Sequence, residues 1–391
     1  MNIRTALALG LASLLAGCTT AKKDTPWAAQ KVSARSLRAR TAENMVHLET
    51  EPWSPGHAYD EPCAGWSGDY PGRTILALVM EEKALGRKAK HLDEIMRRLP
   101  GHLNDLGYMG EPAGDILSEQ QMAGNGWMLR ALCAYARYAE DPVIDVRPIV
   151  ERWAENLFLP GIGRYCDYPV DAGARDGFNL DLGGTAMGSA NGWSLSSDVG
   201  CVFIGMDGLV DAWKLTGDGK LVPAIEEIVA KFIEMDPVAI TAQTHATLTG
   251  IRALLRYDAK RFLADAIRLF DAYREHGMTD RYENCNLFCG YDCKWTEPCA
   301  IVDSMIIAHE LHRLTGDESY AELYDNILYA LLMHQMGNGG FTSYMTFPKG
   351  SDEPPRRLWD YEVSWCCTMR GGTGLAIALM IAENRYEEDM K

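Results

Sequence analysis

Along most of the chain apolar residues recur three and four positions apart, as in helices that bury one face. Two stretches share one layout. "AWKLTGDGKLVPAIEEIVAKF" (212–232) and "LHRLTGDESYAELYDNILYAL" (311–331) each run an apolar helix into Leu-Thr-Gly-Asp and then into a second amphipathic helix. Gly217 and Gly316 suit the position just past a helix end, where φ is often positive. Asp218 and Asp317 suit the cap of the helix that follows. Looser copies of this hairpin occupy 79–99, 134–158 and 251–273. The last apolar run, "GGTGLAIALMIAEN" (371–384), reads as one helix able to pair with an early segment and close a ring. Five hairpins and a closing helix predict an all-α fold, a six-hairpin (α/α)6 barrel over residues 66–391. An open α-solenoid is the competing arrangement, but it calls for repeats of uniform length. Here long Gly-rich linkers at 100–126, 160–200 and 337–365 interrupt the repeats. Long loops on a rigid scaffold usually build a site.

The N-terminus departs from this pattern. In "MNIRTALALGLASLLAGCTT" a single Arg4 precedes an apolar run from Thr5 to Leu15, too short to span a membrane. Residues 1–17 therefore read as a signal peptide. The "LAGC" at its end resembles the lipobox of bacterial lipoproteins, which implies cleavage before Cys18 and lipidation of Cys18. The expectation is an exported lipoprotein, membrane-anchored at the periplasmic face or the cell surface. Residues 18–65 read as a tether and lead-in: a polar stretch, one amphipathic helix in "KVSARSLRARTAENMV", then Pro- and Gly-rich loop. The net charge is −16 and the basic residues are not clustered, which argues against a nucleic-acid partner.

Ten cysteines follow Cys18, and six of them lie between Cys285 and Cys367. Outside the cytosol the default is disulfides. Cys63 and Cys166 lie in loops and are candidate partners. Cys366 and Cys367 can pair with each other or with Cys285, Cys289 or Cys293. Cys133 and Cys201 fall on apolar helix faces and suit the core. The clustering also suits a metal. Zinc takes four ligands from thiolates, imidazoles and carboxylates. "TEPCA" places Glu297 and Cys299 two apart before an apolar helix, and "WCC" places Cys366 and Cys367 before the last helix. Helix N-termini favour thiolate over thiol, so the two loops can supply a Cys3Glu set.

These elements resemble the family 127 glycoside hydrolases, retaining β-L-arabinofuranosidases built on an (α/α) ring. Their Glu-x-Cys pair precedes one helix and their Cys-Cys pair precedes the final ring helix. The resemblance covers roughly residues 66–385 and implies Zn2+ held by Glu297, Cys299, Cys366 and Cys367, with Cys366 as nucleophile. It also implies an acid/base glutamate upstream, where Glu283 stands in "TDRYENCNLFCGYDC". "THATL" resembles the family's Gly-His-Ala stretch and marks His245 as a sugar contact. The chain departs from the family where Thr368-Met369-Arg370 replaces Pro-Pro-Asn, and where 278–297 is shorter and richer in cysteine.

The chemistry is coherent. A furanoside acetal breaks through an oxocarbenium-like transition state, with a nucleophile on one face and a proton donor on the other. A metal-held thiolate is a strong nucleophile. The donor should be a carboxylic acid with a raised pKa; Asp360 or Glu362, in an acidic loop, are substitutes for Glu283. Trp295 and Trp365 neighbour the proposed ligands and can stack on a sugar face. Two other functions fit the same pattern. One is another carbohydrate-active enzyme on this barrel, a lyase or a carboxylate-based hydrolase, active without Cys366. The other is a non-catalytic surface glycan-binding protein with a structural zinc.

Overall fold

The computed structural model describes residues 31–178, 180, 183–288, 295–346, 357 and 361–386. Its helices form an inner and an outer layer. The inner layer is α2 (Asp69–Leu85), α4 (Glu119–Tyr138), α6 (Val202–Thr216), the first part of α8 (Thr244–His276), α9 (Pro298–Thr315) and α11 (Cys367–Ala382). Each inner helix packs on the next, and α11 packs on α2, so the ring is closed. An open solenoid would have left α2 and α11 apart. Behind their inner partners lie α1 (Ala34–Leu48), α3 (Leu92–Arg98), α5 (Arg147–Trp153), α7 (Val222–Glu234) and α10 (Glu318–His334). The remaining hairpin is α8 itself, broken at Asp258, whose φ of −155° and ψ of 86° are not helical. The Asp258 carboxylate accepts from Arg261 N–H at 3.0 Å, capping the second half.

Burial follows from composition. The inner helices are buried nearly all round; in α11 every residue from Cys367 to Met380 is buried. The outer α7 buries a single stripe, Ala224, Ile225, Ile228, Val229 and Phe232, spaced by three and four. The Leu-Thr-Gly-Asp turns behave as the pattern predicts. Gly217 and Gly316 both have φ of 70°, and Asp218 and Asp317 cap the next element through Lys220 and Ser319 N–H. The segment 18–65 read as tether and lead-in contributes α1, which packs on α11 and α2 and closes the sixth hairpin. Its buried face includes Thr41 and Asn44 beside Leu37, Met45 and Leu48, so its apolar stripe is faint in sequence.

A small sheet sits in the long linkers. The strand β1 (Leu117–Ser118) runs parallel to β3 (Trp193–Ser196), which pairs antiparallel with β2 (Ala186–Ala190), Trp193 opposite Ala190. Glu119, fully buried at the start of α4, binds Arg175 at 2.9 Å and also takes the Tyr168 hydroxyl, pinning the 160–200 linker over the ring mouth. Among the described residues no helix is long and apolar enough to cross a membrane.

Helices α4 and α6 touch backbone to backbone. A Cβ on Gly126 would lie 2.7 Å from both Gly205 Cα and Ile204 O. Gly126→Ala must therefore push two ring helices apart, and is expected to cost about 1–3 kcal/mol. Chemical denaturation checks this; an unchanged midpoint would mean that the ring can relax at that crossing.

Candidate active site

The inner helices bring their N-terminal ends to one mouth of the ring. The walls of the cavity there come from Asp69 and Arg73 on α2, Asp198 just before α6, Gln243 and His245 at α8, Glu297 capping α9, and Cys366 and Cys367 at α11. Five helix N-termini thus face one space, and their partial positive charges favour anionic groups. Trp66, Trp295 and Trp365 complete the walls. Trp66 Nε1 donates to Gly184 O at 3.0 Å, tying the 160–200 linker to the rim.

Three thiols meet at the floor. Cys366 and Cys367 Sγ are 3.4 Å apart, and Cys367 Sγ is 4.0 Å from Cys299 Sγ. The ligand atoms of Cys299, Cys366 and Cys367 all lie within 4.8 Å of one another. A second group with the same closeness joins His245, Glu297 and Cys299. The expected ligands therefore fall into two overlapping triads that share Cys299, with His245 beside Glu297. Cys63 and Cys166, which the sequence offers as disulfide partners, are not joined to each other; both are free thiols. Cys63 lines the active cavity, whereas Cys166 is exposed and donates to Gly163 O at 3.3 Å. Cys133 and Cys201 are buried in the core.

The three sulfurs are not equivalent. Burial alone would raise the Cys299 thiol, but hydrogen bonds from Cys366 and Cys367 and the charges of Arg73 and His245 hold it well below the usual range. Arg73 Nη1 donates to Cys299 Sγ at 3.3 Å, and its Nε is clamped by Asp69 at 2.8 and 2.9 Å. Cys366 and Cys367 are raised: Cys366 chiefly because its hydrogen goes to Cys299, Cys367 chiefly by burial. Cys299, with the Arg73 guanidinium and two thiol donors beside it, is thus the sulfur of the three most favoured as thiolate. Such a buried Cys/His/Glu group could hold a metal ion.

His245 faces Glu297 through Nδ1 at 3.3 Å and Asp303 through Nε2 at 3.2 Å. Burial would lower its pKa, but these two carboxylates raise it to about 9. Asn286, with its amide nitrogen 3.1 Å from Glu297, accepts from Trp295 Nε1 at 3.0 Å, which orients the Trp295 ring. Trp365 is half-buried at the rim beside Cys366.

Residues 237–376 match the family described as Beta-L-arabinofuranosidase, GH127 catalytic domain. The chain carries a GH127-like glycoside hydrolase domain. The matched segment contains the thiol trio, Glu297 and His245. Solved structures similar to the whole chain include an unsaturated glucuronyl hydrolase specific for heparin, at 11% identity and a TM-score of 0.58, covering 91% of this chain and 99% of that one. A cellobiose 2-epimerase from Bacillus thermoamylovorans matches at 12% identity and 0.55, covering 90% and 99%. A GH76 alpha-mannanase from Bacteroides thetaiotaomicron matches at 12% and 0.54, covering 90% and 97%. At these identities the likeness concerns the (α/α)6 barrel alone. No curated protein matches the sequence.

Within this GH127-like domain the expected acid is displaced. Glu283 is buried outside the cavity, where its carboxylate meets His334 Nε2 at 3.2 Å and its N–H reaches Thr279 Oγ1 at 3.2 Å. The chain reverses between Met278 and Asn284, which pair as an isolated antiparallel bridge, and this turns Glu283 toward α10. Glu362 is also committed elsewhere, to His47 at 2.7 Å and to the Thr368 hydroxyl. Cys18, Cys289, Cys293 and Asp360 lie outside the described residues. The carboxylates that do face the cavity are Asp69, Asp198 and Glu297. Asp198 stands apart: burial, then the nearby Glu297 charge, push it up to about 7, and Gly184 N–H is its backbone donor. The "SSDVG" around it gives no periodic or spacing signal; only its place at the end of a long linker before an apolar helix hinted at it.

For the metal-free protein the lowered Cys299 thiol predicts a thiolate absorbance that persists at pH below the ordinary thiol titration. Arg73→Gln should shift its titration upward. A single titration at the ordinary thiol value of about 8.5 in both proteins would refute the lowered Cys299 thiol.

Proposed function

We propose that the protein is a zinc-dependent retaining glycoside hydrolase acting on β-L-arabinofuranosides or related furanosides. The observation that carries this reading is the meeting of Cys299 with Cys366 and Cys367, which line the cavity, inside the segment that matches the β-L-arabinofuranosidase family. The donor set fits zinc: three clustered sulfurs, one of them already favoured as thiolate, with the Glu297 carboxylate beside Cys299 as the fourth ligand. Bound there, zinc would keep all three sulfurs ionised and protected from oxidation.

This chain's own residues do the rest. Cys366 is the half-buried member of the trio, while Cys299 and Cys367 are buried, so Cys366 is the sulfur that a sugar can reach. Its lone pair attacks the anomeric carbon while the leaving oxygen takes a proton. Asp198 replaces Glu283 as that proton's source, because it faces the cavity and holds its proton near neutral pH. It then takes a proton from the water that releases the sugar from sulfur. Trp295 and Trp365 line the sugar's path with aromatic faces for the ring, and His245, whose two ring nitrogens face Glu297 and Asp303, positions the Glu297 carboxylate at the cavity wall. Export as a lipoprotein anchored through Cys18 belongs to the same proposal, since it would place the enzyme where polymeric carbohydrate is met.

An aryl β-L-arabinofuranoside is the test substrate. Cys366→Ala should abolish turnover, and Asp198→Asn should lose about 10²–10⁴-fold in kcat, whereas Glu283→Gln should stay within a few-fold. Because Asp198 must be protonated to act, kcat/KM should fall as pH rises through about 7. Chelation should remove activity, and zinc should restore it. Wild-type rates in Cys366→Ala would sink the thiolate mechanism. Asp69 and Asp198 in one cavity favour a carboxylate-based hydrolase as the second reading, and retained turnover in Cys366→Ala with loss in Asp198→Asn would select it.

A further inference from the structure

Glu119 and Gln120 open α4, and side chains in the first turn of a helix lean back past its start. There they meet the end of β3 and the 160–200 linker. Glu119 is taken up by Arg175 and Tyr168. Gln120, only 4% exposed, holds a different part of the linker. Its Nε2 carries two hydrogens, and both have acceptors: Gly184 O at 2.7 Å and Ser196 Oγ at 3.0 Å.

Both acceptors lead to Asp198. Ser196 Oγ also accepts from the Asp198 N–H at 3.1 Å, which fixes the main chain. Gly184 gives its own N–H to Asp198 while its C=O takes Gln120. Gly184 holds a φ of 73°, where a side chain would be strained. The carboxylate lies against this glycine turn: a Cβ on Gly183 would stand 3.7 Å from Asp198 Oδ1, and one on Gly184 3.8 Å from Oδ2. One amide nitrogen is therefore tied to Asp198 by two routes, through its main chain and through the turn beside its carboxylate. Trp66 Nε1 shares Gly184 O at 3.0 Å, so the turn has a second anchor.

We propose that Gln120 is a positioning residue for the proposed hydrolase, its amide holding Asp198 where it can pass a proton to the leaving oxygen. The inference rests on the reading of Asp198 as that proton's source. Gln120 does not line the cavity, so it acts through Asp198 and not on the sugar. A general acid works only within hydrogen-bond reach of the oxygen it protonates. Misplacement by about 1 Å can cost about 10²-fold. The penalty depends on the leaving group, because a departing alkoxide must gain a proton as its bond to carbon breaks, whereas dinitrophenolate leaves as the anion.

The test compares kcat/KM of the zinc-loaded protein on methyl and 2,4-dinitrophenyl β-L-arabinofuranosides. Gln120→Leu keeps the side chain's bulk and removes both donors. It should lose at least about tenfold more on the methyl substrate than on the dinitrophenyl one, and Asp198→Asn should show the same preference more strongly. Equal losses of Gln120→Leu on the two substrates, or wild-type values on both, would overturn the positioning role. A second readout needs no substrate. Hydrogen exchange in peptides spanning 183–197 should quicken in Gln120→Leu while α9 and α11 exchange as in the wild type; unchanged exchange in 183–197 would also overturn it. Equal losses of Asp198→Asn on both substrates would instead remove Asp198 as the proton source, and exchange that still quickens in Gln120→Leu would then leave only the hold on Asp198. Ser196→Ala removes one of the two routes and repeats both measurements, with the same directions expected, if Gln120→Leu fails to fold.

Discussion

Asp303 is the charge on which the ring depends. It sits in α9, wholly buried, and holds Arg370 of α11 and Arg252 and His245 of α8. Burial would raise its pKa, but Arg370, His245 and Arg252 overcome this and keep it ionised well below the usual carboxylate range. Three inner helices are thereby registered around one carboxylate. Removing a partner from such a buried pair leaves an uncompensated charge and costs about 3–5 kcal/mol. Apolar packing makes the inner helices bury; this carboxylate and its arginines decide how three of them are rotated about their axes.

The same group divides the ring interior into two levels. Above it, His245 and Arg73 bring positive charge to the thiols, and convergent helix N-termini add to it. Below it, arginines line a smaller cavity. Trp127 joins the levels, touched by Arg73 from the active side at 4.1 Å and by Arg130 from the other at 4.3 Å. The thiol site therefore sits in a field set by residues that lie far from it in sequence. Reactive cysteines occur in such electropositive, partly accessible surroundings, and structural ones do not.

Some of the site was legible before the fold. Glu297, Cys299, Cys366 and Cys367 stand in two short motifs, each just before an apolar helix, and helix N-termini on adjacent ring hairpins must approach one another. Glu283 lies outside this cavity, and distance along a loop says nothing about which way a turn faces it. Asp198 and Arg73 were missed for a related reason. A single aspartate before one helix and a single arginine inside another carry no period, and they acquire meaning only when the ring brings α2 and α6 beside α9 and α11.

The periodic apolar pattern and the Leu-Thr-Gly-Asp turns were enough to determine helical hairpins and their approximate order, since burial of a stripe and a positive φ at glycine are local requirements. Short spacings were enough to bring Glu297 near Cys299 and Cys366 beside Cys367. Tertiary structure decided the rest. It enlisted α1 to close the ring, because a helix with buried Thr41 and Asn44 gains its place only from partners. It joined the two cysteine motifs at one floor, turned Glu283 away, and put Asp198 in the cavity. Those outcomes depend on contacts between residues 51, 68 and 324 positions apart, and no local pattern encodes them.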